Sequence, residues 1–193
     1  MKKILPFSGS ATALITPLDK DGNVHYAKLA ELIDFQIANQ TDALVICGTT
    51  GESATLSDEE KIEMFRFSAE QIHGRIPMIA GTGSNDTKHS VALSVSAMEA
   101  GADALLLVTP YYNKASQGGL IRHFYAVADS VRLPVIVYNV PSRTGVNIGV
   151  DTYRELGRHE NIVAAKEASA DISHIARIAE ACADALYLYS GND

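Results

Sequence analysis

Ile162-Val163-Ala164-Ala165-Lys166-Glu167 is apolar at four successive positions and then ends in two charges. A run with no polar position is a strand buried on both faces, the kind a parallel sheet requires. The pattern repeats outward through the chain. Strand-like runs cover residues 11–16, 43–47, 78–80, 104–108, 135–138, 162–165 and 186–189. Almost every run closes on polar residues: Thr16, Thr49-Thr50, Gly81-Thr82, Thr109, Tyr138-Asn139, Lys166-Glu167 and Ser190-Gly191.

Segments of helical period fill the gaps. Ser57-Asp58-Glu59-Glu60 reads as a capping box, with Ile62, Phe65, Ala69 and Ile72 along one face of the helix it starts. Thr87 is expected to cap a helix that turns Val91, Val95 and Met98 inward. Leu120, Ile121, Phe124 and Ala128 mark another face. Asp151 and Asp171 are expected to cap the last two helices, with Ile175, Ile178 and Cys182 inward on the second. Strict alternation of strand and helix predicts an α/β fold. A doubly wound sheet usually has a glycine-rich turn after its first strand, whereas here that strand ends Thr16-Pro17-Leu18-Asp19. Polar residues at the ends of many strands point instead to a (β/α)8 TIM barrel. Such a barrel typically takes about 250 residues, and this chain has 193. The expectation is therefore one barrel domain over residues 1–193, present through strand seven, with the eighth unit and the C-terminal helices absent.

Composition narrows the function. Hydrophobic residues make up 47% of the chain, too many for a disordered segment, and the net charge is −7 with no basic run. That balance argues against nucleic acid and against an anionic membrane surface as partners. No apolar run is long enough to span a bilayer. In Met1-Lys2-Lys3-Ile4-Leu5-Pro6 the proline, followed by Ser8-Gly9-Ser10, interrupts any signal-peptide core. Cys47 and Cys182 form neither a disulfide framework nor a zinc spacing, which suits a cytoplasmic location. The six histidines are scattered, so no metal site is expected.

Several strand ends could carry chemistry. Lys166, at the mouth of a dry barrel, would be partly desolvated; that favours the neutral amine able to attack a carbonyl. It could equally be a surface lysine paired with Glu167. Tyr138 is either a core tyrosine or a proton carrier. Gly48-Thr49-Thr50-Gly51-Glu52 offers hydroxyls and amides that could hold a carboxylate without charge, or it is an ordinary turn. Gly81-Thr82-Gly83-Ser84-Asn85 lacks the lysine of a phosphate-binding loop. Tyr111-Tyr112 could rim a pocket or an interface. Arg143 has the fork geometry for a carboxylate, or it is a solvated loop arginine.

Taken together, Gly48-Thr49-Thr50-Gly51-Glu52, Thr109-Pro110-Tyr111-Tyr112-Asn113, Tyr138-Asn139-Val140-Pro141-Ser142-Arg143-Thr144-Gly145 and Lys166-Glu167-Ala168 occur in order at the right strand ends. From Gly9 onward the chain closely resembles the pyruvate-dependent class I aldolase family that includes the dihydrodipicolinate synthases and N-acetylneuraminate lyase. The resemblance implies that Lys166 forms a Schiff base with pyruvate, with no separate cofactor. It implies that Tyr138 relays protons and that Thr50 holds the pyruvate carboxylate. Thr49 would link Tyr138 to Tyr112, which would reach into a neighbouring subunit of a homotetramer. Arg143 would bind the carboxylate of L-aspartate 4-semialdehyde, and Gly191 would sit near the substrates through its backbone.

The implied reaction condenses pyruvate with L-aspartate 4-semialdehyde to 4-hydroxy-tetrahydrodipicolinate, on the route to diaminopimelate and lysine. Arg143 favours that reaction over the sialic acid lyases, whose substrate is a polyhydroxylated sugar acid. Alternatives are another pyruvate aldolase, such as an N-acetylneuraminate or 2-keto-3-deoxy-acid lyase, or an inactive fragment. Ala115 stands where the family commonly has proline. Some members are inhibited by lysine, through a histidine after strand two and a glutamate after strand three. Lys61 and His89 stand there in this sequence, so weak or absent feedback is expected.

Overall fold

The computed structural model describes residues 3–183 and 185–191; Met1 and Lys2 of the N-terminal reading lie outside them. Strands β1 (Ala11–Ala13), β2 (Ala43–Ile46), β3 (Met78–Gly81), β4 (Ala104–Val108), β5 (Val135–Asn139), β6 (Ile162–Glu167) and β7 (Tyr187–Ser190) form one sheet in chain order. Helices α1 (Tyr26–Ala38), α2 (Asp58–Ile72), α3 (Thr87–Glu99), α4 (Gln117–Asp129), α5 (Pro141–Thr144), α6 (Val150–Leu156) and α7 (Ile172–Cys182) alternate with them. This is the α/β organisation of a (β/α)8 barrel protein, through its seventh strand. No helix among the described residues is long and apolar enough to cross a membrane.

The chain divides into two compact units. One comprises Pro6–Thr82 and Leu93–Leu105. In it β1 pairs with β2 and β2 with β3, both parallel. Every residue of β2 is buried, as a strand covered on both faces should be. The capping box of α2 is present in full: Glu60 N donates to Ser57 Oγ at 3.2 Å and Ser57 N to Glu60 Oε2 at 2.7 Å. The buried side of α2 is Lys61, Met64, Phe65, Ser68 and Ile72, so Ile62 and Ala69, read as inward, are only half-buried. Gly81 is fixed by a close approach, because a Cβ there would lie 2.3 Å from the Cys47 carbonyl oxygen.

The other unit comprises Met1–Leu5, Gly83–Ala92 and Leu106–Asp193. Here β5, β6 and β7 pair in parallel. Lys3 ties the N-terminal segment to the start of β6: its ammonium donates to the carbonyls of Gly157 (2.6 Å), His159 (2.9 Å) and Ile162 (2.5 Å). Asp171 caps α7 as expected, accepting from His174 N at 3.0 Å. The buried side of α7 is His174, Ile178 and Cys182, with Ile175 half-buried.

Two caps differ from the sequence reading. The N-cap of α6 is Gly149, and Asp151 lies inside the first turn, paired with Arg154 at 2.5 Å. Gln117 anchors this end of the helix: its Oε1 accepts from Gly149 N at 2.8 Å and Thr152 Oγ at 2.7 Å. At α3 the carboxylate of Asp86 accepts from Lys88 N at 2.9 Å, while the Thr87 hydroxyl is engaged with His123 Nδ1 at 2.9 Å. The buried positions of α3 are Ser90, Leu93, Ser94 and Ala97, not Val91, Val95 and Met98, which are half-buried. The serines tolerate burial because each is bonded: Ser94 to Thr82 at 2.8 Å, and Ser90 to Ser84 N at 2.9 Å.

His123 on α4 is 4% exposed, and its Nε2 has no hydrogen-bond partner among the described residues. Burial pushes its pKa below the ordinary 6.5, with Asp86 opposing. The unfolded chain therefore binds the proton more readily than the folded one. His123 contributes stability that is complete above pH 6.5 and is lost as the pH falls from there through the lowered folded value. The melting temperature is expected to drop on acidification below that point. His123→Gln, which can keep a bond to Thr87, should flatten the drop; an unchanged pH dependence would assign it to other groups.

Candidate active site

Lys166 is the fifth residue of β6, which continues two residues beyond the apolar run, through Lys166 and Glu167. The sheet therefore sets the direction of its side chain. In the β5–β6 register Lys166 lies beside Tyr138, and Asn139 beside Glu167. Lys166 Nζ sits 4.7 Å from the centroid of the Tyr138 ring, over its face. When protonated, an amine in that position is favourably placed against the negative face of the ring.

Tyr138 is buried, and burial pushes its hydroxyl above the ordinary tyrosine range. The charge of Arg143 pulls the other way, so the guanidinium is near enough to be felt at the phenol. Arg143 was read as a loop residue. It lies instead in the single-turn helix α5, started by Pro141 at its first position and stopped by Gly145 at φ 69°. Proline presets the helical φ, and glycine accepts the left-handed end without strain. Arg143 is thus carried on a single helical turn, with its side chain exposed.

Gly191 completes the surroundings of Lys166. Its N–H donates to the Glu167 carbonyl at 2.7 Å. A Cβ at this position would meet Ala168 Cβ at 2.8 Å and Lys166 Cε at 3.0 Å. Only glycine lets the backbone pass this close to the lysine stem.

Tyr112 is 90% exposed and has φ 78°. A bulky side chain in that conformation is an outlier, and such strain concentrates at functional positions. Tyr111 beside it is half-buried. In the other unit, Thr49 and Thr50 occupy the 3-10 turn Thr49–Gly51, and both are exposed. Thr16 Oγ holds that turn by donating to the Gly51 carbonyl at 2.6 Å. Cys47, just before the turn, is left-handed at φ 54°, as is Glu52 after it at φ 53°.

Lys61, one of the two residues behind the expected weak lysine feedback, is buried, 8% exposed, and paired with Asp58 one turn back at 3.2 Å. Cys47 and Cys182 are buried, and burial pushes both thiols up, Cys47 to about 12. Both are held as protonated, unreactive thiols. Among the described residues no group of three His, Cys, Asp or Glu is placed to hold a metal ion.

Sequence reasoning missed the residues behind the pair. Asn139 and Glu167 are buried and bonded to each other, and Tyr153 of α6 donates to Glu167 at 2.8 Å. A signal was available: a strand covered on both faces that ends in two polar residues must supply partners for both of them.

The chain is 56% identical over 188 residues to the 4-hydroxy-tetrahydrodipicolinate synthase of Lachnoclostridium phytofermentans, covering 97% of this chain and 64% of that protein. It matches the crystal structure of a dihydrodipicolinate synthase from Bacillus anthracis with a TM-score of 0.96 and 48% identity, covering 98% of this chain and 65% of that one. The chloride-inhibited dihydrodipicolinate synthase of Acinetobacter baumannii, a structure in complex with pyruvate, matches with a TM-score of 0.92 and 44% identity, over 95% of this chain and 63% of that one. The chain thus spans less than two thirds of the length of these relatives. Residues 6–193 match the dihydrodipicolinate synthetase family, and with Lys166, Tyr138, Arg143 and Gly191 grouped at the ends of adjoining elements, the chain belongs to that family.

Proposed function

We propose that this chain carries out the condensation of pyruvate with L-aspartate 4-semialdehyde through an imine on Lys166. The observation that carries the reading is the lysine amine at the end of β6, set against the Tyr138 ring and cleared on its other side by Gly191. The neutral amine attacks the ketone carbon of pyruvate, and water leaves as the iminium forms. The iminium draws electrons from the methyl group, which loses a proton to give an enamine. The enamine carbon attacks the aldehyde. The amine of the semialdehyde then displaces Lys166 and closes the ring. The electron sink is the imine itself, so no further cofactor enters.

Each step moves a proton. Burial keeps the Tyr138 phenol protonated at neutral pH, with Arg143 moderating the effect, which suits a hydroxyl that gives and retakes a proton. Thr50 is assigned to the pyruvate carboxylate and Thr49 to the proton chain; their exposed turn leaves both hydroxyls open to a ligand. Arg143 is assigned to the carboxylate of the semialdehyde. A cytoplasmic setting, in which both thiols stay reduced, goes with this reading.

Pyruvate with borohydride should leave a stable adduct on Lys166, read by mass spectrometry of the tryptic peptide. Lys166→Ala should take up none; an undiminished adduct in that variant would remove Lys166 from the mechanism.

Arg143→Ala should still form the pyruvate imine. Losing one charged hydrogen-bond partner of a carboxylate costs about 1.5–3 kcal/mol, or about ten- to a hundredfold in the semialdehyde KM or in kcat. Imine formation lost together with turnover would make the arginine a structural residue. Turnover retained with other aldehydes and absent with the semialdehyde would point to a different pyruvate aldolase.

We further propose a homotetramer in which Tyr112 is covered by a second copy of the chain. Its exposure and its strained backbone support this. Sedimentation at micromolar concentration should show the assembly, and Tyr112→Ala should weaken it. A fully active monomer would end the proposal.

A further inference from the structure

Tyr138 and Lys166 have polar neighbours on the opposite face of the same two strands. Successive side chains on a strand point to opposite faces. The next register pair, Asn139 with Glu167, therefore lies behind the reacting pair. Both are buried, Asn139 at 0% and Glu167 at 3% exposure. Four donors converge on the carboxylate. Asn139 Nδ2 and the Tyr153 hydroxyl (2.8 Å) donate to Oε1, and the Ser169 hydroxyl (2.6 Å) and Ser169 N–H (3.4 Å) to Oε2. All four donors are uncharged. Burial, the charge of Glu167 and the bond to it push the Tyr153 hydroxyl far up, so it only donates.

The cluster extends into the segment after Gly145. Asn139 Nδ2 also donates to Asn147 Oδ1 at 2.7 Å, and Asn139 Oδ1 accepts from Ile148 N at 3.1 Å. One carboxylate thus joins the end of β5, the end of β6, helix α6 and the turn beginning at Ser169. Strand ends are where ladder bonds run out and local opening is easiest. A buried network of this kind holds one geometry because leaving any member unpaired is costly.

We propose that Glu167 is a positioning residue: its buried carboxylate, gripped by Asn139, Tyr153 and Ser169 behind the sheet, holds the end of β6 so that Lys166 is presented to the face of Tyr138. The inference rests on the imine reading for what Lys166 does, and on the geometry alone for the coupling.

The test uses the full chain, with Tyr153→Phe and Glu167→Gln. Tyr153→Phe removes one donor and leaves the Glu167 charge in place. Glu167→Gln removes the charge and sets an amide N–H against one of the two pairs of donors. Melting curves choose a temperature at which each variant is folded. The rate of pyruvate trapping per folded molecule is expected to fall about tenfold or more, the scale of a slightly misplaced reacting group, with the half-saturating pyruvate concentration unchanged. A loss of melting temperature with trapping at the unaltered rate would make the cluster structural only and overturn the proposal. If Glu167→Gln does not fold, Tyr153→Phe decides alone. If the unaltered chain takes up no adduct, the imine reading fails by itself, and the positioning role is read without pyruvate. Competitive acetylation then compares Lys166 with the exposed Lys20 and Lys88 of the same molecule. A labelling ratio that departs from the unaltered chain in Tyr153→Phe supports positioning, and an unchanged ratio overturns it.

Discussion

The environment of Lys166 depends on the register in which β6 lies against β5. Tyr138 beside Lys166 and Asn139 beside Glu167 are two successive rungs of one parallel ladder. Side chains alternate along a strand, so the first rung presents an amine and a phenol on one face, and the second buries an amide and a carboxylate on the other. A slip of one residue would exchange the faces. In one direction the slip puts the carboxylate where the amine now lies; in the other it sets the amine against the donors that now serve the carboxylate. Four donors to Glu167 make that exchange expensive, because a lysine in the same place has nothing to accept with.

The same economy of partners explains where helix faces turned out differently from the sequence reading. Counting apolar residues at helical spacing puts Val91, Val95 and Met98 inside α3. The structure buries Ser90, Leu93, Ser94 and Ala97. Small side chains allow close approach, and each buried serine has a bonded partner, so no polar group is stranded. In α2 the buried face takes in Lys61 beside Met64 and Phe65, and also Ser68, whose hydroxyl has no partner among the described residues. The Lys61 charge is met by Asp58, one turn back. In these helices apolar periodicity misplaces the inner face by about one residue, because small polar side chains fit the interior, and Ser90, Ser94 and Lys61 each find a partner there.

Backbone conformation adds a second constraint. Gly145 ends the one-turn helix that carries Arg143, and Gly191 makes room for the stem of Lys166. Neither glycine contributes a functional group. They set the backbone from which a guanidinium and an amine project, which lowers the backbone cost of ordering when a ligand binds. Tyr112, Cys47 and Glu52 adopt left-handed conformations without being glycine, and they lie in the segments that follow β4 and β2.

By itself the sequence determined the alternation of strand and helix, the chain order of seven strands, the capping box at Ser57 and the family. It did so because buried strands read as unbroken apolar runs and because strand-end residues such as Lys166, Tyr138 and Arg143 stand in recognisable order. Tertiary structure decided what those signals do not encode. It placed Lys166 inside β6 rather than beyond it, and it turned the segment of Arg143 into helix. It gave the α6 cap to Gly149, which Gln117 anchors, and it assembled Asn139, Tyr153, Ser169 and Glu167 behind the reacting pair. The physical reason is that apolar burial is a property of each residue and its near neighbours, legible as a local pattern. A hydrogen-bond partner for a buried polar group can come from anywhere in the chain, and only the folded backbone brings it within reach.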